Sequence, residues 1–404
     1  MNKIIIVGGG ASGLICAITA ARNNNDVTII ERNNTCGKKI LVTGNGKCNY
    51  WNENQELIHY HSSNEEVLDK IITSENKNKV LNFFSSIGII PKVKDGYYYP
   101  YSSLAASIQY ALIKEAEVLG VKFIYNMTVD KIENKEDKFV INNSIVCDKL
   151  VLATGSKACP KTGSDGSGYD LVKLLGHKLV PILPTLVQLV GDESYFKIWN
   201  GIRTQANVSL YVDNKIVKSE EGELQLTDYG ISGICVFNVS RYVSIGLYNN
   251  KKVHVNINFA PWFKGDENDF IIFMDNRNER MKNRKIYELL EGFLNYKLVD
   301  TILKINKIDK ESNWDNLNKE QKEKIISSIL SFHLNITDTN SFDKAQVCTG
   351  GVPLHEINPT TMESKLVDGL YIIGEILDVD GDCGGYNLGF AWMSGIIAGE
   401  AIYD

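Results

Sequence analysis

The sequence predicts an α/β protein built on a Rossmann-like sheet, and three features of the chain support this prediction. A β-branched run near the N-terminus leads through a glycine-rich turn into a helix pattern, a second strand ends in an acidic residue, and a late strand leads through glycines into an apolar helix. A length of 404 residues allows two to three domains, and 44% hydrophobic residues provide a large core. The net charge of −6 argues against a surface devoted to nucleic acid.

The first strand and its turn form the most specific motif. Lys3–Val7 contains an unbroken β-branched run, which is typical of a parallel strand buried on both faces. The turn Gly8–Gly13 has glycine at every glycine position of G-x-G-x-x-G, a helix pattern covers Leu14–Arg22, and the strand Asp26–Ile30 ends before Glu31. This order predicts dinucleotide binding, with the pyrophosphate at the helix N-terminus and the acidic side chain on a ribose hydroxyl.

Each glycine of this motif has its own function. Gly8 makes the tight turn, Gly10 lets the backbone approach the pyrophosphate, and Gly13 lets the helix pack closely on the strand. No second G-x-G-x-x-G with a strand before it and a helix after it follows in the chain. The sequence therefore predicts a single Rossmann site.

Two later segments complete the predicted cofactor domain. The strand Asp148–Leu152 leads into Ala153-Thr154-Gly155, whose small residues let the chain pass close to a bound cofactor. The strand 369–373 leads into Gly374 and Glu375 and then, through more glycines, into a helix over about 387–402, whose positive end would face a flavin pyrimidine ring. Because both ends of the chain then reach one cofactor, a tightly held FAD fits better than an exchanging nicotinamide.

Several segments together resemble the BaiN/RdsA-type FAD-binding flavoproteins, a branch of the glutathione-reductase-like superfamily. The matching segments are Gly37–Asn49, Pro160–Tyr169, Gly176-His177, Pro184–Val187, Gly350–Val352, Met362–Lys365, Gly374–Gly381 and Gly384–Asn387. The resemblance runs over most of the chain. It implies an FAD domain formed by residues 1–185 and 340–404, which encloses a β-barrel-like subdomain at 186–263 and a helical subdomain at 264–339.

The resemblance also implies an oxidoreductase. Members of this family are associated with reducing steroid enone double bonds, with reducing uridine in ribosomal RNA to dihydrouridine, and with oxidising small amines. The first two reactions add a hydride from reduced flavin to a C=C conjugated to a carbonyl and then protonate the neighbouring carbon. We expect a reductase of such a bond with NAD(P)H as transient donor; the alternatives are an O₂-dependent flavin amine oxidase and a non-catalytic flavin-binding RNA or assembly factor.

The predicted FAD contacts come from the glycine turn, the end of the second strand with its following loop, the region where such folds meet the adenine, and the two later segments. They are Gly8, Gly10, Ala11, Ser12, Gly13, Glu31, Arg32, Lys38, Lys39, Thr43, Gly44, Gly46, Cys48, Asn49, Val129, Ala153, Thr154, Gly155, Gly374, Glu375, Gly385, Tyr386, Asn387 and Leu388. One lysine of the loop is expected to neutralise the pyrophosphate. Glu375 either accepts from ribityl hydroxyls or caps local structure.

The flavin supplies the redox chemistry, so the protein must supply an acid. Cys48 and Cys383 lie in glycine-rich segments expected to converge on the cofactor, and either thiol could protonate a carbanion; the alternative is an inert buried thiol. His355, near the start of the C-terminal return, is a third candidate, whereas His177 fits better as a residue at a helix C-terminus. The tyrosines at 97, 98, 99 and 101 either stack a flat substrate or form ordinary surface.

Composition and spacing also limit the partners. The eight cysteines form no C-x-x-C pair and the six histidines do not join them, so neither a metal site nor a disulfide framework is expected. No apolar run reaches the roughly 18–20 residues of a membrane span, and free thiols suit the cytoplasm. We expect a small-molecule or RNA substrate, and the basic run 277–285 either tracks phosphates or forms a solvated helix. The sequence does not determine the oligomeric state.

Overall fold

The computed structural model describes residues 2–135 and 137–403. The chain forms two compact units, one made of the residues up to Pro184 together with those from Phe342 onward, and the other made of Thr185–Ser341. The first unit contains both ends of the chain, and each unit has its own apolar core.

Thirteen α-helices and twenty-two strands are found among the described residues. The helices are α1 Ala11–Arg22, α2 Lys38–Val42, α3 Glu65–Ile71, α4 Ser74–Ser86, α5 Ala105–Val118, α6 Gly168–Leu174, α7 Phe196–Trp199, α8 Ile234–Tyr248, α9 Glu267–Arg280, α10 Ile286–Glu291, α11 Tyr296–Ile305, α12 Lys319–Leu330 and α13 Tyr386–Ala401. The strands are β1 Lys3–Val7, β2 Asp26–Ile30, β3 Trp51–Asn52, β4 Tyr60–His61, β5 Pro91–Lys94, β6 Tyr97–Pro100, β7 Lys122–Ile124, β8 Ile132–Lys135, β9 Lys138–Ile141, β10 Ile145–Cys147, β11 Lys149–Leu152, β12 Val180–Thr185, β13 Leu189–Val190, β14 Arg203–Val212, β15 Lys215–Leu226, β16 Gly230–Gly233, β17 Val253–Asn258, β18 Phe332–Asn335, β19 Asp338–Thr339, β20 Val347–Gly351, β21 Leu370–Ile372 and β22 Asp380–Gly381.

The centre of the first unit is a five-stranded parallel sheet in the order β21-β11-β1-β2-β7. Ile4, Ile5 and Ile6 of β1 are at most 1% exposed, as expected for a central parallel strand covered on both faces. The late strand β21 pairs with β11 in register, Leu150 opposite Leu370. The Rossmann-like α/β fold predicted from the sequence is therefore confirmed, with a strand from near the C-terminus at the edge of its sheet.

Helices α1 and α13 pack directly against each other because glycines remove the side chains between them. A side-chain carbon at Gly395 would overlap the Ile15 side chain and lie 2.6 Å from the Ser12 carbonyl oxygen. At Gly399 it would lie 2.8 Å from the Cys16 carbonyl oxygen. This close approach joins the N-terminal and C-terminal segments in one core.

Two predicted elements of the first unit differ from the structure. The spacing of apolar residues predicts a helix over 65–87. The structure divides this segment into α3 and α4, because Thr73 leaves the helical conformation and its side chain accepts a hydrogen bond from the Asn76 N–H. The residue pattern over 128–133 predicts a strand. In the structure this strand begins only at Ile132, where it enters the antiparallel sheet β10-β9-β8.

The second unit is a seven-stranded sheet in the order β18-β17-β14-β15-β16-β13-β19, with helices packed against it. Helix α8 lies within the segment predicted to be β-rich, and β18 and β19 lie within the segment predicted to be helical. Apolar residues of both segments share one core. The predicted boundary between the two insert subdomains, at 263/264, therefore does not separate strands from helices.

The alternating segments of this unit predict hairpin turns at Asp213-Asn214 and Asn249-Asn250, and the two predictions have different outcomes. Asp213 and Asn214, both with positive φ, connect β14 and β15 as a hairpin. Asn249 and Asn250 instead end α8 and lead into β17. That hairpin prediction was wrong because the apolar residues before Asn249 recur at helical spacing and bury one face of α8 against the sheet.

Candidate cofactor site

The turn between β1 and α1 excludes side chains at two of its glycines. Gly8 has φ of +103°, and a side-chain carbon there would overlap the Ala153 carbonyl oxygen. A side-chain carbon at Gly13 would overlap the Gly8 carbonyl oxygen. The Ala-Thr-Gly segment after β11 thus lies directly against the turn, as the small residues of both segments require.

Gly10 differs from these glycines because it faces open space. It is the N-cap residue of α1, with φ of −78°, and no described atom outside its immediate neighbours lies within 4 Å of the position that a side-chain carbon would take. The backbone N–H groups of the first turn, beginning at Ala11 and Ser12, are at this end of the helix. A helix N-terminus with free space beside it suits a pyrophosphate.

The acidic residue after β2 lies at the same edge of the sheet. Glu31 is 8% exposed, and its carboxylate accepts hydrogen bonds from the Gly9 N–H at 2.9 Å and from the Asn33 N–H at 2.8 Å. Lys38 donates to the Asn33 side-chain oxygen at 3.1 Å. These bonds hold the Glu31 carboxylate beside the glycine turn, where a ribose hydroxyl could donate to it.

Arg32 and Val129 are two further residues predicted to contact the cofactor. Arg32 forms an ion pair with Asp165 at 2.5 Å and donates to the Gly163 carbonyl oxygen at 3.3 Å. Val129 is buried in the segment before β8. The resemblance had implied cofactor contacts for both residues, and these remain predictions.

A second acidic residue, Glu375, lies where the C-terminal segment contacts the start of α1. Gly374 has φ of +73°, and a side-chain carbon there would lie 2.9 Å from the Ser12 Cβ. The next residue, Glu375, forms an ion pair with Lys39 at 2.7 Å, with both side chains about one-fifth exposed. The pair places one lysine of the predicted loop beside the glycine turn, although its charge is already balanced by Glu375.

Thr154 lies in the same neighbourhood with an unsatisfied group. A side-chain carbon at Gly168 would overlap its side-chain oxygen, and that oxygen is buried with no hydrogen-bond partner among the described residues. A side-chain carbon at Gly155 would lie 3.9 Å from the Glu375 carboxylate. A buried polar atom without a partner is costly, so a bound polar group would satisfy it.

The predicted loop 37–49 and the glycines before α13 converge on one side chain. Gly44 has φ of +54°, and a side-chain carbon there would lie 2.9 Å from the Asn49 backbone nitrogen. A side-chain carbon at Gly385, which has φ of +94° and is the N-cap of α13, would lie 3.2 Å from the Asn49 Oδ1. That oxygen is buried and has no partner among residues 2–135 and 137–403. An unsatisfied acceptor and a helix N-terminus therefore meet here.

The remaining predicted contacts in these two segments support the loops themselves. Thr43 donates to the Ile40 carbonyl oxygen at 2.7 Å, and Gly46 has a positive φ of 79°. Asn387 accepts from the Gly381 N–H at 2.9 Å and donates to the Gly381 carbonyl oxygen at 2.8 Å. Tyr386 is buried, and Leu388 beside it is half-buried. Asn387 thus closes the loop that leads into α13.

The candidate acids are placed very differently from one another. Cys48 is fully buried with φ of +56°, and burial raises the pKa of its thiol to about 12. Burial, and to a lesser degree Asp382, raises the pKa of Cys383 to about 11. Both thiols therefore hold their protons at neutral pH. His355 is exposed, and its ring contacts the Asn64 side-chain oxygen at 3.0 Å.

Two histidine clusters went unrecognised in the sequence. His177 lies 2.7 Å from a Glu356 carboxylate oxygen and 2.9 Å from the Ser364 hydroxyl, all three being buried. The Ser364 oxygen also accepts from two backbone N–H groups, which marks the cluster as a structural connection. His59 and His61 both contact Asp382 at 3.1 Å, and their i, i+2 spacing was the signal available in the sequence.

Two of the five basic side chains in the run 277–285 are engaged by other residues of the second unit. Arg277 donates to the Leu289 carbonyl oxygen at 2.8 Å and packs over the Phe293 ring, so its side chain is turned into the second unit. Arg284 is paired with Glu288 at 2.9 Å. These two side chains are therefore less available to phosphates than the sequence alone suggests, whereas Arg280 and Lys282 are exposed.

Taken as a set, these features fit FAD. The space beside Gly10 can take a pyrophosphate, Glu31 can take a ribose, and the unsatisfied Thr154 and Asn49 oxygens lie in the two segments predicted to follow the cofactor. The family model described as the HI0933-like protein Rossmann domain matches residues 2–401. The chain belongs to the HI0933-like family. As a member of that family it is an FAD-dependent oxidoreductase, as its resemblance to the BaiN/RdsA-type flavoproteins implied.

Relatives of this HI0933-like protein cover it almost completely. It is 40% identical over 408 residues to the 3-dehydro-bile acid Δ4,6-reductase of Clostridium scindens, covering 99% of each chain. It is 28% identical over 398 residues to the ribosomal RNA dihydrouridine synthase of Escherichia coli, covering 96% of this chain and 95% of the relative. A solved 3-ketosteroid-Δ4-(5α)-dehydrogenase from Rhodococcus jostii aligns with a TM-score of 0.47 at 15% identity, covering 99% of this chain and 96% of that one.

Two further observations concern the described part of this HI0933-like protein. No helix in it is both long and apolar enough to span a membrane. No group of three or more histidine, cysteine, aspartate or glutamate side chains in it is arranged to hold a metal ion.

Proposed function

We propose that this protein reduces a C=C bond conjugated to a carbonyl, with FAD as hydride carrier and NAD(P)H as electron donor, and that its substrate is a steroid-like enone. The observation that supports this most strongly is 40% identity, over 99% of both chains, to a relative named as a bile acid reductase. Uridine in ribosomal RNA is the second candidate substrate, favoured by the relative named as a ribosomal RNA dihydrouridine synthase. Two basic side chains of the run 277–285 are engaged within the fold, which weakens the support that this run gives to the RNA alternative.

We propose the following placement of the cofactor. The adenosine ribose is held by Glu31, the pyrophosphate by the first turn of α1 beside Gly10, and the ribityl chain by the region of Thr154 and Glu375. The flavin ring lies against the turn at Gly44 and the N-terminus of α13. The support is that Glu31, Gly10, Thr154 and Glu375 follow neighbouring strands at one edge of the first unit's sheet, and that the Thr154 and Asn49 oxygens are buried without a partner.

When bound, FAD supplies the hydride transfer that no amino-acid side chain can provide. The N-terminus of the 16-residue helix α13 carries partial positive charge, which stabilises negative charge on a nearby ring. The Asn49 Oδ1 can accept a hydrogen bond from a ring N–H. Buried Trp51, whose backbone lies against Gly385, excludes water from this side.

The test is an anaerobic half-reaction experiment on purified protein. We expect FAD to co-purify in near-stoichiometric amount, to be bleached by NADH or NADPH, and to regain its colour on adding 4-androstene-3,17-dione. A uridine-containing ribosomal RNA fragment replaces the steroid in a parallel series. Protein that stays colourless with added FAD contradicts the proposal at its first step.

The same anaerobic experiment distinguishes a reductase from an amine oxidase and from a non-catalytic flavin-binding protein. Bleaching by a small amine, with peroxide released in air, indicates an amine oxidase. A flavin that binds but is reduced by neither NAD(P)H nor an amine indicates a non-catalytic binding protein.

A further inference from the structure

The strand β6 presents two tyrosines on one face and a third on the other. It pairs antiparallel with β3, placing Tyr98 opposite Trp51 and Tyr97 opposite Asn52. Side chains alternate across a strand, so Tyr97 and Tyr99 share a face. Tyr98 points to the other face, where its ring meets Tyr50 edge-on at 6.3 Å. Tyr98 thus packs against the core, whereas Tyr97 and Tyr99 lie on the opposite face of the strand.

Tyr97 and Tyr99 are directed at the glycine turns of the proposed flavin site. A side-chain carbon at Gly384 would lie 2.9 Å from Tyr97 Cε1, and one at Gly44 would lie 3.8 Å from Tyr99 Cε1. Gly384 is also held by the Asn52 side chain, which donates to its carbonyl oxygen at 2.9 Å. The Tyr99 ring therefore lies beside the turn at Gly44, and the Tyr97 ring lies beside the turn before α13. Both turns contact Asn49.

Both phenols are half-buried, and this affects their acidity. Burial, followed by Cys383 and Asp95, raises the pKa of Tyr97. Burial, followed by Tyr97 and Cys383, raises the pKa of Tyr99. Both hydroxyls thus keep their protons at neutral pH and can donate them to a strongly basic carbon or oxygen. By contrast, the side chain of Tyr101, just beyond β6, is 71% exposed.

We propose that Tyr97 is the catalytic acid of the reduction and that Tyr99 is the ring against which the substrate lies. This inference rests on the proposed function. Tyr97 is assigned the acid role because it adjoins Gly384 and the beginning of α13, whereas Tyr99 adjoins Gly44 and presents its ring edge along the same face.

The step balances without a further reactant. A hydride, derived from NAD(P)H by way of the flavin, forms a C–H bond at the β-carbon of the enone, and the electron pair of the C=C bond moves to the α-carbon. The O–H bond of Tyr97 breaks as its proton forms the second new C–H bond at the α-carbon. The resulting phenolate regains a proton from water, which leaves the enzyme unchanged and the substrate reduced by two electrons and two protons.

The test compares Tyr97→Phe, Tyr99→Ala and the surface control Tyr101→Phe. For Tyr97→Phe we expect unchanged FAD content and unchanged bleaching by NAD(P)H. We expect flavin reoxidation by 4-androstene-3,17-dione to slow by about 100-fold, the range found for loss of a general acid. The dissociation constant of the same steroid for the oxidised protein, measured from the change in flavin absorbance, should stay within about threefold.

Tyr99→Ala should show the opposite pattern, with steroid binding about tenfold weaker and a smaller loss in the saturated rate. The Tyr101→Phe control should match the unmodified protein in every measurement. Reoxidation of Tyr97→Phe at the unmodified rate, with FAD bound and reduced, overturns this inference and leaves the proposed function standing. An unmodified protein that binds no FAD, or whose reduced flavin is reoxidised by neither the steroid nor the uridine RNA, overturns both.

Discussion

Single glycines determine where a cofactor can approach this protein. Gly8 and Gly13 have no room for a side chain because backbone carbonyl oxygens lie against them. Gly10, in the same motif, faces open space and has a φ that any residue can adopt. The motif predicts a different function for each of the three glycines, and the structure adds that only Gly10 among them has room for a side chain.

Gly10→Val should therefore fold normally but fail to retain FAD, because its side chain occupies the space proposed for the pyrophosphate. The measurement is the ratio of flavin to protein absorbance after purification, together with circular dichroism. Gly13→Val provides the contrast, since it should lose both the flavin and the native spectrum. A yellow Gly10→Val protein contradicts the proposed cofactor placement.

Cys48, one of the two cysteines predicted as acids, is a buried thiol. With the pKa of Cys48 raised to about 12, its thiol is protonated in the folded state at neutral and mildly alkaline pH. We expect iodoacetamide at pH 8 to leave Cys48 unmodified in folded protein and to modify it in urea, as measured by mass spectrometry. Modification of folded protein at the rate seen in urea contradicts this.

The same shift links stability to pH. The folded pKa of Cys48 lies above its unfolded value of 9.0, so at high pH the unfolded chain binds fewer protons than the folded one. The stabilisation is fully present below about pH 9 and is lost as the pH rises toward 12. The free energy of unfolding, measured with urea, should fall over that range, and Cys48→Ala should reduce the slope of the decline.

At the scale of elements, local patterns predicted the strands and helices around the glycine turn and the C-terminal return, but not all breaks and ends elsewhere. The order β1-α1-β2 followed directly from the N-terminal motif, because a strand, a glycine turn and a helix are encoded by adjacent residues. The break between α3 and α4 was missed because the apolar periodicity continues across it. Asn249 and Asn250 were mistaken for a hairpin because asparagine pairs end helices as readily as they join strands.

Thr73→Ala should test the cause of the break before α4. The Thr73 side chain accepts from the Asn76 N–H at 3.2 Å, and loss of such a cap costs about 1 kcal/mol. The free energy of unfolding from urea titration should fall by about that amount. Thr73→Ser, which keeps the hydroxyl, should recover most of it; equal losses in both variants would point to side-chain packing instead of capping.

At the scale of the whole molecule, the first unit depends on contacts between the two ends of the chain. Strand β21 completes the parallel sheet, and α13 packs on α1 through Gly395. The ion pair between Lys39 and Glu375 joins residues 336 positions apart. A cofactor held by both ends should therefore stabilise the association of those ends, since it binds the folded unit alone.

Gly395→Val should disrupt this association, because its side chain would overlap Ile15 and approach the Ser12 carbonyl oxygen. We expect loss of FAD and a melting temperature lower by several degrees, measured by differential scanning calorimetry. Glu400→Ala, on the exposed face of the same helix, removes only a surface ion pair with Lys79 and should change little. Retained FAD and an unchanged melting temperature in Gly395→Val would show that α1 and α13 can separate without consequence.

The sequence by itself determined the Rossmann-like sheet, the glycine turn, the acidic residue after β2 and the family, because each of these is encoded in short stretches of adjacent residues. Only the tertiary structure showed that Gly10, alone among the glycines of the N-terminal turn, faces open space. It also showed that Asn49 and Thr154 carry unsatisfied oxygens and that Tyr97 and Tyr99 lie against Gly384 and Gly44. The physical reason is that these contacts depend on strand register and on packing between segments as much as some 340 residues apart, which no local pattern encodes.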